Sequence, residues 1–395
     1  MRYAAISERL AGLGGAKWAV HARAKALAAQ GHDIIKLTIG EPDVGTAPEL
    51  IAAAKAGMDA GRLGYSNGRG EPALLSALAA RYSARTGRDI SPQQCTALPG
   101  TQTTLYAVLT TLVGPGDEVL VGDPLYACYE GLIAATGARA VMVPMHPEHG
   151  FRMQAADMEP LITPRTRLLF LNTPHNPTGA VLRRAEIQAL GALAIQHDLW
   201  ILSDEVYEEM IYDGAVFTSP FDLAELADRT VVAASISKSH AAPGFRSGWC
   251  VGPQDFADRL LPVAETMLFG NQPFIADMTA LAVSAPSQAA RDMATRFARR
   301  AALLHGLVDG RHGLRVHLPE AGMFALIDIR ATGMTGEDFA LALLDATGVA
   351  VMPGESFGAA LAGWLRVSLT VEDDLIRAAA VKLVDFAARM QGLAA

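Results

Sequence analysis

Lysine is scarce in this 395-residue chain, occurring only as Lys17, Lys25, Lys36, Lys55, Lys238 and Lys382, while arginine supplies the other basic charge. Cysteine is scarcer still. Cys95, Cys128 and Cys250 are odd in number, scattered and without Cys-x-x-Cys spacing. That argues against a disulfide framework or a zinc site and for a reducing compartment. Alanine-rich stretches are interrupted by charge or glycine before they reach the roughly 18 residues of a membrane span. The start, Met1-Arg2-Tyr3-Ala4-Ala5, lacks the long apolar segment of a secretory leader. With a net charge of −8 and no basic stripe, the chain is a poor candidate for nucleic-acid binding. The pairs Arg183-Arg184 and Arg299-Arg300 fall in helical patterns and read as solvated faces. These absences point to a cytoplasmic enzyme with no metal, membrane or nucleic-acid partner.

What is present is a large apolar core. Hydrophobic residues make up 51% of the chain and charged residues 19%, and the length suits two domains. From about Pro48 to Ser284, strand-like runs alternate with helical patterns. The strands are expected at Glu118–Gly122, Ala140–Pro144, Leu168–Asn172, Trp200–Ser203, Val231–Ser235 and Gly248–Gly252. Helices are expected at Thr103–Leu112, Leu125–Thr136 and Arg184–His197. Apolar runs buried on both faces and separated by helices predict a three-layer α/β/α domain with a mostly parallel sheet. The last hundred residues read as a smaller α+β domain. It has helices at Gln288–Leu307, Gly336–Ala346 and Val371–Gln391, and strands at Arg315–Leu318, Met323–Asp328, Val349–Met352 and Trp364–Ser368. The expected division is 1–45 joining the small domain, 46–284 as the large domain and 285–395 as the small one.

The chemistry concentrates in Ser235-Ile236-Ser237-Lys238-Ser239-His240-Ala241-Ala242-Pro243-Gly244-Phe245-Arg246. An amine that forms a Schiff base must be partly desolvated and near other cations, so that its neutral form is accessible. Ser235 and Ser237 offer hydroxyl donors and Arg246 a planar cationic fork, which suits a phosphate monoester. Together they predict pyridoxal 5'-phosphate held covalently on Lys238.

Four further runs meet that cofactor's other needs. Asp204, at the end of a strand in Leu202-Ser203-Asp204-Glu205-Val206-Tyr207, can keep the pyridine nitrogen protonated; its competing role is a helix N-cap. Tyr207 can donate to the ring's phenolate oxygen. In Asn172-Thr173-Pro174-His175-Asn176-Pro177-Thr178-Gly179, Asn176 can donate to the same oxygen from a turn built by Asn-Pro and Thr-Gly. Leu98-Pro99-Gly100-Thr101-Gln102 leads from a strand into a helix, whose free N–H groups favour phosphate at Gly100, Thr101 and Gln102. Downstream, Tyr126 is placed either to stack on the ring or to pack in the core. Finally, Arg366 in the apolar strand Leu365–Ser368 wants a carboxylate. It serves either as a bidentate clamp on a substrate α-carboxylate or as one half of a structural ion pair.

Taken in order, these runs resemble the class I/II aminotransferases, the fold-type I pyridoxal-phosphate enzymes, and most closely the aspartate aminotransferase-like branch. The likeness spans nearly the whole chain, from Leu37-Thr38-Ile39-Gly40-Glu41-Pro42-Asp43 to Leu365-Arg366-Val367. It implies that Lys238 is the Schiff-base lysine and proton shuttle, Asp204 the pyridinium partner, and Asn176 and Tyr207 the ring-oxygen donors. Tyr126 becomes the stacking aromatic. Gly100, Thr101, Gln102, Ser235, Ser237 and Arg246 become the phosphate cup. It also implies that Tyr65 reaches the neighbouring subunit's phosphate in a homodimer, that the backbone of Gly40 lies beside the substrate, and that Arg366 binds the α-carboxylate. The sequence departs from the family at Ser247, where an aliphatic residue is usual, at Leu75, often arginine, and at Asp277, commonly glutamine. Asp277 is then a surface or helix-cap change, or a residue favouring a basic substrate. The implied activity is ping-pong transfer of an amino group from an L-amino acid to a 2-oxo acid. Aspartate, arginine or another basic residue, aromatic and small neutral donors all stay open. A C–S β-lyase on the same fold is the nearest rival. A non-catalytic pyridoxal-phosphate sensor is remoter, because the motifs begin near residue 40 and leave no room for a DNA-binding domain.

Overall fold

The computed structural model describes residues 2–13 and 16–394. In chain order its strands are β1 (Ile35–Leu37), β2 (Cys95–Leu98), β3 (Glu118–Asp123), β4 (Arg139–Pro144), β5 (Thr166–Asn172) and β6 (Trp200–Asp204). They continue with β7 (Thr230–Ser235), β8 (Gly248–Val251), β9 (Arg315–His317), β10 (Phe324–Asp328), β11 (Val349–Pro353) and β12 (Trp364–Ser368). Seven strands form one sheet in the order β2-β8-β7-β6-β5-β3-β4. Neighbours from β7 through β4 pair in parallel, and β8 alone runs against both β7 and β2.

The alternation along β5 and β6 explains the layers. Leu169, Leu171 and Ile201 pack with Ile187 and Leu190 of the helix Arg184–Gln196. Leu168, Phe170 and Leu202 turn to the other face, against Leu105, Val108 and Leu109 of the helix Gly100–Leu112. Successive side chains of a strand point to opposite faces, so a strand apolar at every position must be covered on both sides. Burying each such side chain contributes about 1.5–3 kcal/mol. The helix expected from Leu125 starts only at Tyr129. The four residues before it form a loop in which Leu125 N–H donates to Phe357 O (2.7 Å), which leaves Tyr126 at the edge of a cleft.

A second sheet has the order β1-β11-β12-β10-β9. β1 pairs in parallel with β11, at Ile35↔Val349 and Leu37↔Val351, and this carries Thr38–Gly40 toward β12 and its Arg366. Among the described residues no helix is long and apolar enough to cross a membrane.

The three departures noted in the sequence find plain places. Ser247 is fully buried, and its Oγ accepts from Asn271 Nδ2 (3.1 Å) and Thr279 Oγ1 (2.7 Å), which an aliphatic side chain could not do. Leu75 is buried in the core beside Leu74 and Leu78. Asp277 is bound by the guanidinium of Arg62, whose Nη2 donates to Oδ1 (2.9 Å).

Candidate active site

The carboxyl ends of parallel strands open onto a cleft of about 310 Å³. Open α/β sheets place ligands there because loops leaving the strands diverge. β5 ends at Asn172, β6 at Asp204 and β7 at Ser235. The cleft is lined by Gly40, Thr101, Gln102, Tyr126, Asn176, Asp204, Tyr207, Ser237, Lys238, Arg246 and Arg366, eleven of the residues singled out in the sequence. Gly100 and Ser235 stand immediately behind it. A Cβ on Gly100 (φ +80°) would lie 2.3 Å from Arg246 Nη2, and Thr101 Oγ1 donates to Ser235 Oγ (2.9 Å). Tyr65 is apart from the cleft and 95% exposed.

Lys238 sits on the single turn Ile236–Ser239 that succeeds β7. Its Nζ donates to Gly40 O at 2.6 Å, so the amine is tied to the segment leaving β1. Burial pulls its pKa down to about 8; Glu41 opposes the fall, while Arg366 and Arg246 add to it. None of the other lysines lines this cleft.

Asp204 is buried, and both its oxygens are engaged. Tyr129 Oη donates to Oδ2 (2.7 Å) and the Val206 N–H to Oδ1 (3.1 Å). Beyond Asp204 the chain enters a turn, not a helix, so the N-cap role does not arise. Its neighbour Glu205 points away, to Ser219 Oγ (2.5 Å) and Arg85 Nη1 (3.0 Å). Burial raises the Asp204 carboxyl from 3.8 to about 6, with the Tyr129 and Val206 hydrogen bonds only partly offsetting it. Without a cation beside it, the folded chain therefore keeps a proton that the unfolded chain releases between pH ~4 and ~6. The stabilisation linked to that proton is fully present below pH ~4 and is lost as the pH climbs to ~6, on the order of 3 kcal/mol. In cofactor-free protein, Asp204→Asn should gain about 2–3 kcal/mol relative to the parent chain between pH ~4 and ~7. Denaturant melts showing a pH-independent difference would refute this.

Arg366 is 2% exposed on β12. Its Nη2 donates to Thr38 O (2.6 Å) and its Nη1 to Asn176 Oδ1 (3.1 Å). The guanidinium lies over the rings of Phe324 and Phe357, with centroids 3.9 and 4.3 Å from Cζ. Nε is buried without a partner. Among the described residues no carboxylate lies within salt-bridge distance, so the structural ion pair weighed from the sequence is not formed. Burial lowers its pKa to about 10, although Tyr207 and Tyr126 oppose the fall. A buried guanidinium with a donor to spare, facing a cleft, is built for an anion that enters.

Three residues contribute that the sequence did not single out. Tyr129 supports Asp204 from beneath the cleft. Asn172 takes the Asn176 N–H on its Oδ1 (2.9 Å) and gives its Nδ2 to Asp204 O and Pro174 O (both 3.1 Å), so it joins the turn to β6. Trp18, before the helix Ala19–Ala29, lines the cleft from the N-terminal segment. Asn172 was legible as the first residue of its motif; the other two carry no local signal. Among the described residues no cluster of histidine, cysteine and carboxylates is placed to hold a metal.

The donor set fits pyridoxal phosphate: an amine of lowered pKa, a buried carboxylate, and a helix start flanked by hydroxyls and a guanidinium. The family model for aminotransferase class I and II matches residues 32–383. The chain is 43% identical over its full length to an arginine–pyruvate transaminase of Pseudomonas aeruginosa, also covered in full. It is 34% identical to an aspartate/prephenate aminotransferase of Cereibacter sphaeroides, covering 94% of this chain and 95% of that one. In structure it is similar to a double mutant of Thermus thermophilus aspartate aminotransferase, with a TM-score of 0.91 at 30% identity, covering 98% of this chain and all of the other. The chain therefore belongs to the class I and II aminotransferases, fold-type I enzymes that as a family depend on pyridoxal phosphate and exchange amino groups between amino acids and 2-oxo acids.

Proposed function

We propose that this aminotransferase binds pyridoxal 5'-phosphate covalently through Lys238 and works as a homodimer on arginine or another basic amino acid, with pyruvate as acceptor. The observation that carries the site is the meeting of Lys238, Asp204, Asn176 and Arg366 in one cleft. The donor and acceptor are supported by the full-length likeness to the arginine–pyruvate transaminase.

The phosphate would rest on the start of the helix Gly100–Leu112 at Gly100, Thr101 and Gln102, with Ser235, Ser237 and Arg246 completing the cup. When bound, the cofactor supplies an electrophilic carbon and an electron sink beside the substrate Cα. Asp204 holds a negative charge where the ring nitrogen is cationic, a pairing that relieves the cost of its burial. Asn176 has committed its Oδ1 to Arg366, so its Nδ2 is left to donate toward the ring oxygen. Burial raises the Tyr207 hydroxyl's pKa, so it stays protonated and could serve as a second donor, and Tyr126, which lines the cleft, would stack on the ring. Arg366 holds the α-carboxylate and so fixes the Cα–H direction; Gly40 lies beside the substrate. Lys238 Nζ, whose neutral form is accessible near neutral pH, carries the proton away from Cα.

A second copy of the chain would cover Leu63, Tyr65 and Phe269, which are 63–95% exposed, and Tyr65 would reach the neighbour's phosphate. A cytoplasmic setting agrees with three free cysteines. The direct test is a half-reaction. Cofactor-loaded protein is mixed with single L-amino acids and no oxo acid. Arginine should yield one equivalent of its 2-oxo acid per site and then stop until pyruvate is added. Continuous release of pyruvate from cystathionine without an acceptor would replace this reading with the lyase. Protein that takes up no cofactor would end it.

A further inference from the structure

Tyr65 is a large aromatic held almost wholly in solvent, yet the residues around it are firmly fixed. Its ring meets that of Phe269 edge-on, with centroids 6.3 Å apart. Ser66, the next residue, is buried, and Gly270 crosses so closely that a Cβ there would lie 2.3 Å from Asn67 O and 2.8 Å from Ser66 Cβ. Asn67 Oδ1 accepts from the N–H groups of Arg69 (3.1 Å) and Gly70 (2.8 Å).

A chain of charged groups leads from this base to Asp277. Ser66 Oγ donates to Glu71 Oε1 (2.7 Å), and Arg62 Nη2 donates to Glu71 Oε2 (2.7 Å). The same guanidinium forks onto Asp277 through Nε and Nη2. Asp277 stands on the helix Pro273–Val283, Glu71 at the start of the helix Pro72–Thr86, and Arg62 just beyond the helix Pro48–Asp59. The chain thus ties three helices to one loop. A planar guanidinium gripped at two atoms has its direction set, where a single contact would let it swing. Asp277 therefore decides where Arg62 points, Arg62 where the Glu71 carboxylate points, and Glu71 where Ser66 rests.

We infer that Asp277 is a positioning residue which, through Arg62, Glu71 and Ser66, holds Tyr65 for its contact with the cofactor phosphate of a neighbouring subunit. This rests on the homodimeric reading proposed above. It also gives the Asp277 carboxylate a role within the protein, in place of one toward a basic substrate.

The test measures release of pyridoxal phosphate from holoenzyme after rapid dilution, in the parent chain, Tyr65→Phe, Asp277→Asn and the double variant, each also studied by sedimentation velocity. Each single variant should release cofactor about tenfold faster, near the worth of one hydrogen bond to a charged group. The double variant should be no faster than Tyr65→Phe, because Asp277 acts only through Tyr65. Asp277→Glu, which keeps the charge, should recover most of the hold. Multiplied effects in the double variant would overturn the inference. So would parent-like release from a dimeric Asp277→Asn, or loss of the dimer in Asp277→Asn alone. A parent chain that sediments as a monomer would instead overturn the dimeric reading, and this inference with it.

Discussion

Lys238→Ala is expected to lower amino-group transfer by roughly 10⁴-fold or more, since it would remove both the covalent anchor and the proton carrier proposed above. None of the other five lysines is placed to take over. Lys17 is paired with Glu130, Lys382 donates to Thr347 O (2.8 Å), and Lys25, Lys36 and Lys55 are exposed. The pKa of about 8 matters here. An ordinary lysine would be almost wholly protonated at neutral pH, whereas this one keeps a usable neutral fraction. Two readouts separate chemistry from folding. Borohydride treatment should fix cofactor mass on the parent chain and none on the variant, while thermal melts of the cofactor-free proteins should agree closely. Transfer retained within about tenfold of the parent would remove Lys238 from the role given to it.

The second large effect is expected at Arg366. A guanidinium that grips a carboxylate through two charged hydrogen bonds contributes about 3–5 kcal/mol, so Arg366→Ala should lose on the order of 10²–10⁴-fold in kcat/KM for amino acids. Arg366→Lys should recover little, because an ammonium can neither present parallel donors nor stack over Phe324 and Phe357 as a planar guanidinium does. The substitution also strands Thr38 O and Asn176 Oδ1, so some loss of stability is expected as well. A substrate without the α-carboxylate tells the two apart. With a simple primary amine as donor, the already slow rate should change little between parent and variant. An equal proportional loss with amine and amino acid would show that Arg366 acts on the fold or on the cofactor instead of the carboxylate.

Much of the cleft's polar lining was legible because it uses residue types that are otherwise out of place. A lysine in a lysine-poor chain, flanked by serines at a strand end, and an arginine inside an apolar strand both violate burial rules, so a compensating ligand is implied. The strands were equally legible, since β5 through β7 each carry an unbroken apolar run of three or four residues that can only be covered on both faces. The start of the helix at Tyr129 was not. Leu125–Cys128 has helical composition, but its backbone is engaged from afar, as where Leu125 N–H donates to Phe357 O, 232 residues away.

The sequence by itself determined the layered sheet, the order of the motifs and the candidate reactive groups, because periodicity and local composition act over a few residues. Only the tertiary structure decided which groups meet. Asp204 and Glu205 are adjacent acids that a sequence cannot rank; the pleat of β6 sends one under the cleft to Tyr129 and the other out to Ser219 and Arg85. Whether Arg366 would have an acidic partner depended on β1 lying beside β11, which puts the carbonyl of Thr38, and no carboxylate, against its guanidinium. Asp277 was visible as an odd residue, and its bond to Arg62 was not, since 215 residues separate them and only the packing of the helix Pro273–Val283 against the helix that Arg62 follows brings them together.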